Sequence, residues 1–202
     1  MLIHEKGPFV RGSILLISFL VLFCVLLTPI MRDEKGNHLT GLQYADNVFN
    51  ELSKGSSYFI PSVREHVKTV EKVNVKVTVT MKKAELAETA VQVLTKAGMT
   101  ASADGAKVSY EGNLAAMLNA ATTDADNLYH NDDATVSARY DGTHALKAAA
   151  AWWYVLSPSI KELQKQRLIA EAQVVDQVLR RAVEPGNNFY SVEPVKVSDH
   201  IW

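Results

Sequence analysis

The sequence predicts an α+β domain that follows a single membrane-spanning helix, and three observations support this fold class. Residues 13–31 form an apolar run of nineteen residues without a charge. Residues 73–81 alternate β-branched or apolar side chains with polar ones, which is typical of a half-buried strand. From there to residue 141, strand periods and helical periods alternate along the chain.

The apolar run has the length of a bilayer span. At about 1.5 Å per residue a helix of residues 13–31 would extend roughly 28 Å, close to the thickness of the hydrocarbon core. A cleaved signal would end in small residues, whereas this run ends at Thr28-Pro29. A lipid-modified cysteine would follow small residues, whereas Cys24 follows Phe23. We therefore expect an uncleaved anchor, with a cleaved signal and a lipoprotein as the alternatives.

Flanking charges predict the orientation of this anchor. The stub of residues 1–12 carries Lys6 and Arg11, and the opposite flank carries Arg32 and Lys35. A short basic stub before a first helix usually stays in the cytoplasm. The chain contains no N-x-[ST] sequon, which favours a bacterial envelope. We expect a single-pass protein of the bacterial inner membrane, with its C-terminal domain in the periplasm.

The composition of the remaining chain excludes several classes of function. Residues 32–202 carry 19 basic and 21 acidic side chains, so they lack a basic field for nucleic acid. Their lack of cysteine excludes disulfides, cysteine-ligated clusters and c-type haem attachment. We therefore expect no cofactor, and a domain that is stabilised by packing.

The first elements after the anchor are predicted to be helical. Residues 32–72 form a linker and helical segment, in which apolar residues from Leu42 to Leu52 recur at helical spacing until Gly55. Pro61 suits the first turn of a second helix. Residues 73–81 then form the first strand of the domain.

Five further elements complete the predicted domain. Residues 84–97 form a helix that ends at Gly98, and Asp104-Gly105 is a strong hairpin signal between two strands. Asn113 caps a helix that continues to residue 129. Residues 134–140 alternate again, and we expect them to form a fourth strand.

This order of elements, βαββαβ over residues 73–141, is that of a ferredoxin-like sandwich with amphipathic helices on both sides. Residues 142–184 predict two long helices, the first ended by Ser157-Pro158 and the second opened by a capping box at Ser159. We expect the sequence after Val183 to stop the second helix, and residues 185–202 to form an extended tail. The fold class alone does not identify a function.

Candidate metal ligands cluster near the end of the predicted helix 113–129. Their spacing matches no EF-hand, so we expect a solvated acidic helix end, with a metal site as the alternative. The other histidines are scattered singly, and no catalytic motif is present, so we expect no catalytic and no metal-binding residues. The clustered residues are Asp124, Asp126, His130, Asp132 and Asp133.

The aromatic residues are the strongest candidates for a contact surface. Three consecutive aromatic residues begin at Trp152, and neighbours on a helix point about 100° apart, so they cannot all face one core. Tryptophan and tyrosine are common at protein interfaces and at membrane surfaces. Packing inside the domain is the alternative. The candidate residues for partner or membrane contact are Trp152, Trp153, Tyr154, Tyr58, Phe59, Phe189, Tyr190 and Trp202.

These features together predict a non-catalytic accessory subunit of an envelope or respiratory membrane complex. Its partners would be the lipid bilayer and integral-membrane proteins. The order of stub, anchor, helical segment and ferredoxin-like domain resembles the assembly-platform proteins of type II secretion systems and type IV pili. That resemblance implies a periplasmic domain that forms a homodimer. A periplasmic sensor or ligand-binding domain is a further alternative.

Overall fold

In the computed structural model, which describes residues 6–32 and 36–193, the apolar run lies in helix α1 (Lys6–Leu27). This helix is long and apolar enough to cross a membrane, and none of its residues is buried within the protein. It begins seven residues before the apolar run and ends at Leu27. The early end follows from Pro29, which disfavours helical backbone at the preceding Thr28.

A short hairpin follows α1. Strand β1 (Met31–Arg32) pairs antiparallel with β2 (His38–Leu39). Helix α2 (Gly41–Ser56) comes next and covers the first helix predicted after the anchor. By its contacts the chain divides into two units, and the first contains the described residues up to Ser53.

The second unit contains residues 54–193 and combines a small antiparallel sheet with several helices. Sheet order is β3–β5–β4, so β5 is central. The elements are α3 (Ile60–Lys68), β3 (Asn74–Thr80), α4 (Ala87–Lys96), β4 (Thr100–Asp104), β5 (Lys107–Asn113), α5 (Leu114–Tyr129), α6 (Asp133–Arg139), α7 (Ala145–Lys165), α8 (Ile169–Val178) and α9 (Glu184–Asn188).

The sheet follows the sequence pattern closely. Along β3 exposed and buried residues alternate, and Val75, Val77 and Val79 point into the core. Burying each of these valines stabilises the fold by about 1.5–3 kcal/mol. The β4–β5 hairpin turns at Gly105-Ala106, because Asp104 pairs with Lys107. Gly105 has a φ of 56°, which glycine adopts without strain.

Helix α5 is the central helix of this unit. Asn113 caps it as predicted, since its side-chain oxygen accepts the backbone N–H of Ala116 at 2.9 Å. Helices α3, α6 and α9 all contact it, and α7 contacts β3, α4 and α8. The core therefore lies between the inner face of the sheet and these helices.

The fourth strand predicted at residues 134–140 is wrong, because this stretch forms helix α6. Asp132 caps the helix by accepting the backbone N–H of Thr135 at 3.1 Å. The free edge of β3, which a fourth strand would pair with, lies beside α7 instead, and Gln166 donates to the Lys76 carbonyl at 2.9 Å. The described sheet has three strands, and the ferredoxin-like sandwich is not confirmed.

The helix break predicted at Ser157-Pro158 is also wrong. Helix α7 continues through Pro158, and Ser159 is buried, with its hydroxyl donating to the Val155 carbonyl at 2.6 Å. The chain breaks later, at Arg167, whose φ is 65°. There the backbone N–H of Leu168 bonds to the Leu163 carbonyl at 3.0 Å, the closing bond of a Schellman turn.

The end of the last long helix differs from the prediction as well. After α8 the chain forms a π-helical segment (Leu179–Val183) and then continues as α9. The predicted stop therefore lies in a helix, and Gly186 is buried against α5 rather than ending the helix. Residues 194–202, which include Trp202 and the second half of the predicted tail, lie outside the described residues.

Candidate functional site

A surface cleft of about 390 Å³ lies between α7 and the chain from Val183 to Asn188. One wall comes from the N-terminal half of α7, and the other comes from α9 and the residue before it. Small alanine side chains on α7 leave the space that the cleft occupies. The lining residues are Ala149, Ala150, Trp153, Tyr154, Val183, Glu184, Asn187 and Asn188.

Trp153 and Tyr154 form the aromatic wall of this cleft. Their rings meet edge to face, with centroids 5.0 Å apart and an interplanar angle of 80°. The indole N–H of Trp153 donates to the carboxylate of Glu184 at 3.1 Å. This bond fixes the position of the ring across the cleft, because it links α7 to α9. Both aromatic side chains are half-buried, so each keeps a surface open to a ligand.

A second cleft of about 470 Å³ shares Trp153 and Glu184 with the first. The two clefts adjoin at the hydrogen-bonded pair Trp153 and Glu184, and they are here together called the Trp153 groove. On the α7 side it extends from Ala149 to Gln164, which is about 22 Å at 1.5 Å per residue. The residues that the second cleft adds are Ser157, Ile160, Lys161, Gln164, Asp176, Leu179 and Arg180.

The π-helical segment Leu179–Val183 forms part of the opposite wall of the Trp153 groove. A π-helical turn is rare in proteins and is frequently found at functional sites. Arg180 lies on it and forms an ion pair with Asp176 one turn earlier, at 2.7 Å. The first cleft thus contains two asparagines, the second contains Lys161 with the Arg180–Asp176 pair, and Glu184 lines both.

The hydroxyl groups that line the Trp153 groove belong to Tyr154 and Ser157. A nucleophilic hydroxyl needs a general base within hydrogen-bond reach. In the part of the chain that the structure describes, no histidine or carboxylate is hydrogen-bonded to Ser157. Comparisons of the chain with family models, with curated proteins and with solved structures gave no match. The function is therefore argued from the geometry of this surface.

Trp152 belongs to the core and is not available as a surface contact, although it is adjacent to Trp153. It is 1% exposed, and its indole N–H donates to the carboxylate of Asp124 at 2.8 Å. The hydroxyl of Tyr140 and the guanidinium of Arg139 also donate to this carboxylate. Burial raises the pKa of Asp124, and the three donors oppose that shift.

The expectation of a solvated acidic helix end is therefore wrong for Asp124, which is buried among its three donors. Asp126 accepts from Tyr58 at 2.8 Å and pairs with Arg64 at 3.3 Å, and Asp132 caps α6. Among residues 6–32 and 36–193, no group of three or more histidine, cysteine or acidic side chains is placed to hold a metal ion.

The other predicted aromatic contacts lie around the end of α5. The rings of Tyr58 and Tyr129 are tilted by 50°, with centroids 5.2 Å apart, and Phe189 meets the ring of Tyr129 edge-on at 5.9 Å. Burial and the hydrogen bond to a carboxylate raise the pKa of Tyr58 to about 12. Phe59 lies under the guanidinium of Arg181 at 5.5 Å.

The seven predicted contact residues that the structure describes therefore do not form one surface. Trp153 and Tyr154 line the groove, Trp152 is in the core, and Tyr190 is half-buried against the core. Tyr58 and Phe59 remain about 40% exposed.

Lys54 is a residue whose position sequence reasoning did not predict. It is 2% exposed, and its ammonium group donates to the carbonyls of Phe189, at 3.1 Å, and of Val192. In return, the hydroxyl of Tyr129 donates to the Lys54 carbonyl. Burial lowers the pKa of Lys54. Its role is to hold the C-terminal segment of the second unit, and a single lysine in a polar sequence carries no signal of such a role.

Proposed function

We propose that this chain is a non-catalytic, membrane-anchored subunit that binds a helical segment of a protein partner in the Trp153 groove. The observation that carries the proposal is the groove itself, with an apolar floor of alanines and aromatic residues held in place across it. In this proposal α1 is the anchor, the second unit lies outside the cytoplasm, and the partner belongs to an envelope or respiratory membrane complex.

The dimensions of the groove favour a helix as the bound element. Its length of about 22 Å corresponds to about fifteen helical residues, or four turns. Amphipathic helices bind such grooves through apolar side chains at i, i+3, i+4 and i+7. Trp153 and Tyr154 would supply the central apolar contacts, since aromatic residues dominate the binding energy of many interfaces.

The distribution of cations in the groove supports one direction for the bound helix. Lys161 and the Arg180–Asp176 pair line the second cleft, whereas no lysine or arginine is among the lining residues of the first cleft. The negative C-terminus of a helix is favoured near cations. The proposed partner helix therefore ends near Lys161.

The test is purification of the full-length protein from its native membrane in a gentle detergent, followed by native mass spectrometry. Ala150→Arg places a long cation in the groove, because Ala150 lines it and is half-buried. Ala138→Arg is the matched control, since Ala138 is an exposed residue of α6. We expect defined membrane proteins to accompany the wild type and the control, and to be lost from Ala150→Arg. A wild type that purifies alone would contradict the proposal.

Binding of a small ligand is the second candidate function, and the first cleft favours it. Its volume of about 390 Å³ is within the range of small-molecule sites, and Glu184, Asn187 and Asn188 supply polar groups. The native mass spectrum separates the two candidates, because a ligand adds a small mass that Ala150→Arg would remove. A homodimer in the same spectrum would favour the assembly-platform alternative.

The orientation of the protein in the membrane is tested by a separate experiment. Protease added to intact spheroplasts should digest the second unit if residues 32–202 lie in the periplasm. Protection of this unit in spheroplasts, with digestion in inverted membrane vesicles, would place it in the cytoplasm instead.

A further inference from the structure

An apolar stripe on α2 is left exposed in the first unit. At 100° per residue, Leu42 and Phe49 lie about 20° apart on the helix, with Ala45 and Leu52 beside them. Leu42 is 53% exposed and Phe49 is 68% exposed. Single exposed apolar residues are common, but two large ones aligned on one face form a candidate contact surface.

The opposite face of α2 is polar. Asn47 lies about 200° from Phe49, and Glu51 lies about 180° from Leu42. Asp46 lies at the edge of the apolar stripe, about 40° from Leu42. Such a division, with an aromatic residue on the apolar half, is typical of helices that lie in the plane of a membrane surface.

The structure places the start of α2 against the end of α1. Hairpin β1–β2 turns the chain back, and Gly41 is buried beside Leu26. A Cβ atom on Gly41 would lie 2.9 Å from Cδ2 of Leu26 and 3.3 Å from its carbonyl oxygen, so a glycine permits this approach. Leu26 is in the last turn of α1, which is where a membrane-spanning helix reaches the lipid headgroups.

The first turn of α2 is also fixed by a capping box. The side-chain oxygen of Gln43 accepts the backbone N–H of Thr40 at 2.9 Å, and the hydroxyl of Thr40 accepts the backbone N–H of Gln43 at 3.2 Å. This reciprocal pair determines where α2 begins. Because the helix begins beside Leu26, its apolar stripe starts at the level of the membrane surface.

From this geometry we infer that α2 is an interfacial helix, whose Leu42–Phe49 stripe inserts into the lipid headgroup layer next to the anchor. The inference rests on α1 being the anchor, as in the proposed function, but not on the Trp153 groove. The bound partner is the lipid surface itself. Such a helix places its apolar side roughly 5–10 Å deep in the boundary between headgroups and acyl chains.

The charge of α2 determines which lipids it binds. Lys54 is its one cation, and the ammonium group of Lys54 is buried against backbone carbonyls. Its two acids are Glu51, on the polar face, and Asp46, at the edge of the apolar stripe. Insertion is therefore driven by apolar burial, and zwitterionic lipid is sufficient. Anionic lipid does not strengthen it.

The experiment uses site-specific fluorescent labels on the full-length protein in phosphatidylcholine vesicles. Cys24 is the one cysteine in the sequence, so a Cys24→Ala background accepts a single label at Phe49→Cys. Asn47→Cys is the control on the opposite face. Leu42→Cys repeats the measurement with Phe49 intact. Each label is exposed to a nitroxide lipid and, separately, to aqueous iodide.

We expect the nitroxide lipid to quench the labels at Phe49→Cys and Leu42→Cys several-fold more than the label at Asn47→Cys, and iodide to give the reverse order. Adding phosphatidylglycerol should leave this order unchanged. Equal quenching at the three positions would overturn the inference. Protection of the Phe49→Cys label from both quenchers would also overturn it, because protein would then cover the stripe.

A label on the native Cys24 separates this inference from the proposed function. Cys24 is inside α1, so the nitroxide lipid should quench its label if α1 spans the bilayer. A quenched Cys24 label with an unquenched Phe49→Cys label rejects the interfacial helix alone. An unquenched Cys24 label rejects the anchor, and with it both proposals.

Discussion

Replacement of Gly186 by alanine gives the most direct test of how the second unit packs. A Cβ atom at this position would lie 2.5 Å from the carbonyl oxygen of Ala125 and 2.9 Å from its Cα. Ordinary contacts begin at 3.4 Å, so the added atom is about 0.9 Å too close. Both neighbouring atoms belong to the backbone of α5, which cannot move as a flexible side chain does.

Two opposing effects determine how Gly186→Ala changes the free energy of unfolding. Overpacking of a well-packed contact costs about 1–3 kcal/mol. Alanine has a higher helix propensity than glycine, which returns up to about 1 kcal/mol. We expect Gly186→Ala to lower the free energy of unfolding by about 1–2 kcal/mol. For a unit of this size, that corresponds to a decrease of about 3–6 °C in Tm.

The assay is thermal unfolding of the full-length protein in detergent, followed by circular dichroism. Asn187→Ala is the matched control, since it adds alanine to the exposed neighbour on α9 and should change Tm little. A Tm that rises in Gly186→Ala would refute this reasoning. It would show that a Cβ atom fits at this helical position, and that α9 does not pack closely on α5.

Three further predictions concern the core. Asp124→Asn should lower the free energy of unfolding by about 2–4 kcal/mol, measured by urea denaturation, because it removes the carboxylate that balances Arg139. Burial raises the pKa of Tyr110 and Tyr140 above that of the unfolded chain, near 10, so the stability they contribute is complete below about pH 10 and is lost as pH rises further. Tyrosinate absorbance should then appear together with unfolding, and ionisation of all tyrosines before unfolding would contradict this. Asn113→Ala should cost about 1–2 kcal/mol in the same urea assay, since it removes the cap of α5.

Elements whose signals are local could be predicted from the sequence. Strand β3 follows from the alternation of its valines, and α5 follows from its cap at Asn113 and its apolar stripe. The hairpin follows from Gly105, whose positive φ the turn requires. In each case the physical cause lies within a few residues of the element itself, so no tertiary contact is needed to recognise it.

The wrong strand at residues 134–140 shows where local patterns become ambiguous. Val136, Ala138 and Tyr140 fit a strand, but Val136 and Tyr140 are also four residues apart and fit one face of a helix. In the structure these two are buried and Ala138 is exposed, which is the helical pattern. The cap at Asp132 and the acid in the first turn favour this outcome. Over seven residues, the caps therefore carry more information than the apolar period.

The buried carboxylate of Asp124 could not be recognised because its partners are distant in sequence. Arg139 lies 15 residues away and Trp152 lies 28 residues away, on two different helices. In the sequence Asp124 is one of several acidic residues near a helix end. Only the packing of α6 and α7 against α5 brings three donors to this carboxylate and leaves the others at the surface.

The groove illustrates how far sequence reasoning reaches in defining this site. Because neighbouring residues on a helix point about 100° apart, Trp152, Trp153 and Tyr154 cannot all lie in the same environment. In the structure Trp152 is in the core, whereas Trp153 and Tyr154 line the groove. The sequence alone could not show which of the three aromatic residues lies in the core, because that depends on the position of Asp124. Once Trp152 fills the core and bonds to Asp124, α7 has no rotational freedom. Trp153 must then face α9, and the same packing that stabilises the core also fixes the aromatic wall of the groove.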